Sequence, residues 1–199
     1  MNNNLYEETI PSEKISILKS LEGQYLTKMV RYSWVKGEQA VVEYELNSNE
    51  VFSLTSGPIL LYFQSGMVIG AGSNPSIHSV TLWVERDNLG YVADELTEED
   101  SELYPIDAKD KVYSSVFWSQ LEGREVREIS IIKCKPLNAK YSVLPNEVGL
   151  LFTMSNGARF ILSHGLHDCS DDFSVIEETQ IDKGLMANLY IKSRLLIFS

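Results

Sequence analysis

The densest group of chemically capable side chains is the run His164-Gly165-Leu166-His167-Asp168-Cys169, which gathers two of the three histidines and one of the two cysteines. A His-x-x-His pair followed by a cysteine supplies zinc-type ligands. A structural zinc site, however, draws four ligands and usually a second paired cluster, which this sequence lacks. Cys169 beside His167 has the composition of an activated thiol, yet sequence neighbours seldom hold the geometry of nucleophile and base. The run therefore reads as a polar loop after a strand. A small-molecule-binding or metal-dependent enzyme using the His164–Cys169 loop stays as the alternative function. No catalytic residue, metal ligand or cofactor is assigned. Gly70-Ala71-Gly72 lacks the third glycine and the following helix of a dinucleotide site. No P-loop, nucleophile elbow or His-Glu-x-x-His helix is present.

Carboxylates form the second group. Twenty-eight acids against seventeen bases give a formal charge of −11. That balance repels nucleic acid and anionic membrane surfaces, so neither is expected as a partner. Residues 94–102 hold six acids and no base: Asp94, Glu95, Glu98, Glu99, Asp100 and Glu102. A second concentration begins at Asp168, Asp171 and Asp172 and continues through Glu177, Glu178 and Asp182. Each reads either as a solvated connector or as a landing surface for a basic protein. Tyr25, Tyr32, Trp34, Tyr44, Tyr62, Phe63 and Trp83 fall on predicted strands. Most belong in the core, and any left exposed beside carboxylates would serve as binding anchors.

Length and composition bound the scaffold that must position these groups. With 199 residues, 44% hydrophobic and 23% charged, the chain has the makeup of an ordinary globular protein with a sizeable core. Its longest apolar runs are too short to span a bilayer, and Met1-Asn2-Asn3-Asn4 lacks the basic and apolar regions of a signal peptide. A cytoplasmic location follows, with Cys134 and Cys169 both reduced and Cys134 a small core residue.

Leu21-Glu22-Gly23 recurs as Leu121-Glu122-Gly123, and the flanks recur with it. Ile17 and Leu18 correspond to Phe117 and Trp118, and Leu26 and Met29 to Val126 and Ile129. Leu60-Leu61-Tyr62 before Ser65-Gly66 resembles Leu150-Leu151-Phe152 before Ser155-Asn156-Gly157, and each reads as two apolar strands joined by a tight turn. Val80, Thr81, Leu82, Trp83 and Glu85 then fall opposite Phe173, Ser174, Val175, Ile176 and Glu178. The offset drifts from one hundred to about ninety-two, which places a deletion of roughly eight residues between Lys135 and Glu147. The pattern predicts an internal duplication, with a first half at 1–104 and a second at 105–199; two similar hairpins built on common turn chemistry are the alternative.

Helices are predicted at 12–22, with Ser12 as N-cap, and at 111–122, each stopped by its glycine with the preceding glutamate exposed. Strands are predicted at 24–35, 39–46, 51–56 and 125–134. The tail from 185 fits a helical stripe, while 194–198 suits a sheet edge. Runs of strands after a helix predict an α+β fold. Its form is two pseudo-repeated helix-plus-antiparallel-sheet halves packed as one compact unit.

The segment Gly149-Leu150-Leu151-Phe152-Thr153-Met154-Ser155-Asn156-Gly157-Ala158-Arg159-Phe160-Ile161-Leu162, with the acidic return Asp171-Asp172-Phe173-Ser174-Val175, resembles the immunity proteins of bacterial contact-dependent inhibition and related polymorphic toxin systems. The resemblance covers about a quarter of the chain. It implies a small, acidic, cytosolic α+β protein that binds a cognate protein toxin, often a nuclease, and blocks its active site or assembly. No family residue maps onto this chain by position. The acids that would meet the toxin are Asp94, Glu95, Glu98, Glu99, Asp100, Glu102, Asp168, Asp171 and Asp172. Oligomeric state is left open.

Overall fold

Leu26 and Met29 are both buried although they stand three residues apart, a spacing at odds with the two-residue repeat of a plain strand. The computed structural model, which describes residues 6–93, 97–136 and 138–192, resolves this through a β-bulge. β1 (Tyr25–Ser33) pairs with β2 (Ile59–Phe63), and the register shifts between Leu26 and Lys28. One extra residue resets the alternation, so Leu26, Met29 and Arg31 all face the interior. β6 (Arg124–Cys134) meets β7 (Gly149–Met154) with the same shift, between Val126 and Glu128, and buries Val126, Ile129 and Ile131.

The remaining strands are β3 (Val68–Asn74), β4 (Ser79–Arg86), β5 (Tyr104–Asp107), β8 (Arg159–His164), β9 (Phe173–Glu177) and β10 (Leu189–Lys192). All pair antiparallel in one sheet of order β4-β3-β2-β1-β6-β7-β8-β9, with β5 added beside β1 and β10 beside β6. The fold is α+β, its helices short. The sheet curls so that β3 and β4 lie against β8, and Val80 N–H reaches Glu147 C=O at 2.9 Å. One hydrophobic core therefore draws on both ends of the sheet, from Leu61, Ile69 and Leu82 to Phe152, Phe160 and Val175. Two smaller apolar clusters cover the outer faces, one around Val30, Leu60 and Leu103, the other around Ile132, Leu151 and Ile176.

The repeated tripeptides sit where β1 and β6 meet. Tyr25 pairs with Glu125 and Leu26 with Arg124, after which the two strands separate. Gly23 (φ 83°) and Gly123 (φ 76°) adopt the left-handed conformation that glycine reaches without Cβ strain. Gly23 N–H donates to Val126 C=O at 2.8 Å, and Gly123 N–H to Leu26 C=O at 2.7 Å. Beyond that point the strand-edge amides would be left unpaired. Glu22 Oε1 accepts Ile129 N–H at 3.0 Å and Glu122 Oε1 accepts Met29 N–H at 3.3 Å, so each carboxylate closes the other strand's gap. Lys109 Nζ adds an ion pair to Glu122 at 2.5 Å, and that side chain is only 5% exposed. The expectation of exposed glutamates is corrected: a free edge amide next to the bulge needs an acceptor, and the glutamate is the nearest one.

Other elements differ from the sequence reading. The first helix is split into a 3-10 turn, Pro11–Glu13, and α1 (Ile15–Leu21), whose N-cap is Lys14 rather than Ser12. Ser12 N–H instead donates to Glu147 Oε2 at 2.9 Å. The stretch predicted as a strand at 39–46 is α2 (Gly37–Glu43), and that at 51–56 is α3 (Val51–Leu54). Ala40 packs inward from α2 while Val42 stays exposed, so the β-branched pair Val41-Val42 carried no sheet signal. Asn47 N–H is bonded to the Glu50 carboxylate at 2.9 Å, a capping interaction that starts a turn of helix before Val51. The second helix shrinks to α4 (Val116–Ser119), enough to bury Trp118. In the tail, Met186–Asn188 form a 3-10 turn before β10; residues 194–198 lie outside the described residues.

Candidate functional site

At Thr97 and Glu98 the acidic run after β4 is tied to the sheet. Glu85, buried in β4, accepts Trp83 Nε1–H at 2.6 Å and Thr97 Oγ1–H at 3.1 Å, and also the Thr97 amide. Glu98 accepts the Tyr62 hydroxyl at 2.5 Å and pairs with Arg86 at 3.9 Å. Burial and this hydrogen bond push the Tyr62 hydroxyl pKa up. Asp94 and Glu95 lie outside the described residues. Glu98, Glu99, Asp100 and Glu102 are exposed, as are Asp168, Asp171 and Asp172. Among the described residues no ion pair joins Glu99, Asp100, Glu102, Asp168 or Asp172 to a base. Trp34, 51% exposed, follows Ser33, whose register partner Tyr104 opens β5 directly after the acidic run. An exposed indole thus stands at the strand margin into which the carboxylates lead.

The second acidic group is built on a different part of the sheet. His164 closes β8 opposite Phe173, the first residue of β9, and the loop between them carries Asp168, Asp171 and Asp172. Glu98 and Asp171 stand at opposite ends of β4: one beside Arg86, the other beside the turn that leads into Ser79. Eight extended residues separate those ends by about 26 Å.

At the Asp171 end the fold brings together side chains that are far apart in sequence. His78, at the β3–β4 turn, places its ring centroid 5.1 Å from that of His164, edge to face, and 4.9 Å from Tyr141. Asn146 donates its side-chain amide to Tyr141 C=O (2.7 Å) and Leu144 C=O (2.8 Å), leaving Oδ1 as acceptor for His78 Nδ1 at 2.8 Å. The hydrogen-bond pattern therefore places a proton on His78 Nδ1. His78 (φ 51°) and Asn146 (φ 54°) both hold left-handed backbones, a conformation kept where the surroundings fix it.

His164 is 2% exposed, and among the described residues neither ring nitrogen has a hydrogen-bond partner; its Nε2 lies 3.9 Å from Asp171 Oδ1. Burial lowers its pKa, and His78 lowers it further against the pull of Asp171 and Asp172. Cys169, by contrast, is exposed, with φ 63°. Among the described residues no group of three or more His, Cys, Asp or Glu side chains is arranged to hold a metal ion.

Phe173 links this end to a second buried charge. Arg31 is fully buried, its guanidinium 4.6 Å from the Phe173 ring centre, and Nη2 donates to Phe173 C=O at 2.8 Å and to Thr55 C=O. Among the described residues Nε and Nη1 have no partner. Burial pulls the Arg31 pKa down to about 9. Nearby, Ser33 and Thr55 share a 2.6 Å hydrogen bond.

The sequence pointed to His164 but not to its contact with His78, and it passed over Arg31 and Asn146. Arg31 had a readable signal, since the residue one hundred positions later is the apolar Ile131. Asn146 had none, because its role depends on a backbone conformation fixed by the packing around it.

No protein family, curated protein or solved structure matches this chain. Among the described residues no helix is long and apolar enough to cross a membrane.

Proposed function

We propose that this chain is a cytoplasmic immunity protein that binds and neutralises a cognate, basic toxin domain through its acidic surface. The carrying observation is the set of exposed carboxylates at 99–102 and 168–172, most without a basic partner among the described residues, on a chain of formal charge −11. Such carboxylates are already solvated and unpaired, so a cationic partner gains attraction without breaking internal ion pairs. Trp34 supplies an aromatic anchor at the margin of the first group. The reading predicts a product of the adjacent reading frame that arrests growth of a sensitive host, and relief of that arrest when this chain is co-expressed. A neighbour with no toxicity, or toxicity unrelieved by this chain, sinks it. Charge reversal at Glu99, Asp100 and Glu102, or at Asp168, Asp171 and Asp172, then identifies which group meets the toxin.

A second reading, a small-molecule-binding or metal-dependent enzyme, is favoured by the orphaned ring nitrogens of His164. It requires metal-dependent turnover by the purified protein, abolished by His164→Gln or Cys169→Ser.

We also infer that two copies of one ancestral unit make up the chain, divided near residue 104. Supporting this are the bulges of β1 and β6 at offset one hundred, the partner strands β2 and β7 at offset ninety-one (Phe63 against Met154, one residue off the sequence match of Leu60 with Leu150), and the reciprocal glutamate bonds. The β2–β3 turn repeats the β7–β8 turn bond for bond: Gly66 N–H to Phe63 C=O, and Gly157 N–H to Met154 C=O, both at 2.9 Å. Replacing residues 64–66 by Ser-Asn-Gly, the sequence at 155–157, should leave the urea midpoint unchanged. A marked loss of stability counts against a shared unit.

A further inference from the structure

We infer that His164 and Asp171 form a socket for one basic side chain, lysine or arginine, of the protein partner. The inference rests on the immunity reading and selects one place within its acidic surface. A carboxylate at the surface is ordinary; what sets this one apart is the group beneath it. Asp171 has a side chain 76% exposed, whereas His164 is 2% exposed with both ring nitrogens unpartnered, Nε2 facing Asp171 Oδ1 across 3.9 Å. A buried polar atom without a partner is disfavoured unless something supplies the missing bond. The gap exceeds a direct hydrogen bond; Nε2 has no exposed surface of its own, so a cationic N–H donor bonds both atoms once the exposed Asp171 side chain swings aside to admit it.

The surroundings select a cation. Low pKa keeps His164 neutral, so one ring nitrogen remains an acceptor. Asp168 and Asp172 are exposed on the same loop and have no basic partner among the described residues. His78 is fixed by Asn146 through Nδ1 and packs edge-on against the His164 ring, holding its orientation. A divalent metal is less well served, since a third ligand does not converge here among the described residues. A basic side chain needs only acceptors: Asp171 Oδ1 is one, and His164 Nε2 is the second in the tautomer that carries its proton on Nδ1.

The test uses the full-length chain labelled with nitrogen-15 and a tetra-arginine peptide as probe, titrated at pH 7 in low salt. The expected result is a saturable shift of the His164 Nε2 resonance. It should weaken about ten-fold in affinity in Asp171→Asn and persist when Glu99→Gln, Asp100→Asn and Glu102→Gln are combined. Asp171 is exposed, so its variant folds, and His164 remains the reporter throughout. Peptide-induced shifts confined to residues 97–102, with His164 silent, overturn the socket while leaving an acidic binding surface intact. Movement of Nε2 by zinc alone, with the peptide silent, overturns it in favour of a metal site. No saturable response anywhere removes both the socket and the charge-based surface.

Discussion

Glu122 shows how a single carboxylate can hold a strand junction. Its Oε1 accepts the Met29 amide beside the bulge and its Oε2 meets Lys109 at 2.5 Å. Glu122→Ala should cost about 1–3 kcal/mol in urea unfolding, because it strands a buried amide, and Glu122→Gln should recover part of that by keeping one acceptor oxygen. Equal stability of the alanine variant would show that the amide finds water instead. Arg31 raises the opposite question. Its charge is fully buried with two nitrogens unpartnered, while the position one hundred residues later takes Ile131 in the same core. Arg31→Met should therefore be neutral or stabilising, by up to about 4 kcal/mol, with the side chain's stacking volume over Phe173 retained. A loss of several kcal/mol would show that its bonds to Thr55 and Phe173 outweigh desolvation. His164 gives a pH dependence. Burial and His78 lower its pKa below the ordinary 6.5, so the unfolded chain binds the proton more tightly than the folded one. Stability attributable to His164 is complete above about pH 6.5 and falls as pH drops toward the folded value, then levels off. The difference in unfolding free energy between wild type and His164→Phe, followed from pH 8 to pH 4, measures this; a flat difference contradicts it.

Strand pairing explains residues that propensity does not. Gly70 lies opposite Trp83 in the β3–β4 ladder, and a Cβ there would fall 2.0 Å from the indole. The same indole donates to Glu85, which in turn holds Thr97. Gly70→Ala should displace Trp83, destabilise the protein by about 1–3 kcal/mol and alter tryptophan fluorescence. Unchanged fluorescence and stability would mean that the ring shifts freely. Much of the strand order was legible because hairpins leave local marks: Ser65-Gly66 and Asn156-Gly157 between apolar runs predicted β2–β3 and β7–β8 where they occur. α2 and α3 were misread for the converse reason. Their β-branched and aromatic residues favour a strand, and the burial of Ala40, Val51 and Phe52 goes with the helical conformation instead.

At the scale of the molecule, one core links both ends of the sheet, from Leu18 and Val84 to Met154 and Val175. Unfolding should therefore be a single transition, coincident by far-ultraviolet circular dichroism and tryptophan fluorescence, and a chain ending at residue 108 should fail to fold alone. Two separated transitions, or a folded fragment, would show that each half keeps an independent core. The acids behave differently from the core, since their positions do not depend on one face being buried. They are divided between an outer flank tied down by Glu85 and Glu98 and the loop beside His164.

The sequence by itself determined the α+β class, the strongly acidic surface, the glycine stop at 23 and the two hairpins, because each depends on composition or on bonds between near neighbours; the helix expected to stop at Gly123 ends at Ser119 instead. Only the tertiary structure decided where Glu22 and Glu122 point, that His78 meets His164, and that Arg31 lies in the core bonded through Nη2 to two backbone carbonyls. Those relations join residues that sequence separates by tens of positions, and they arise when β1 and β6 pair and the curled sheet closes over a shared interior.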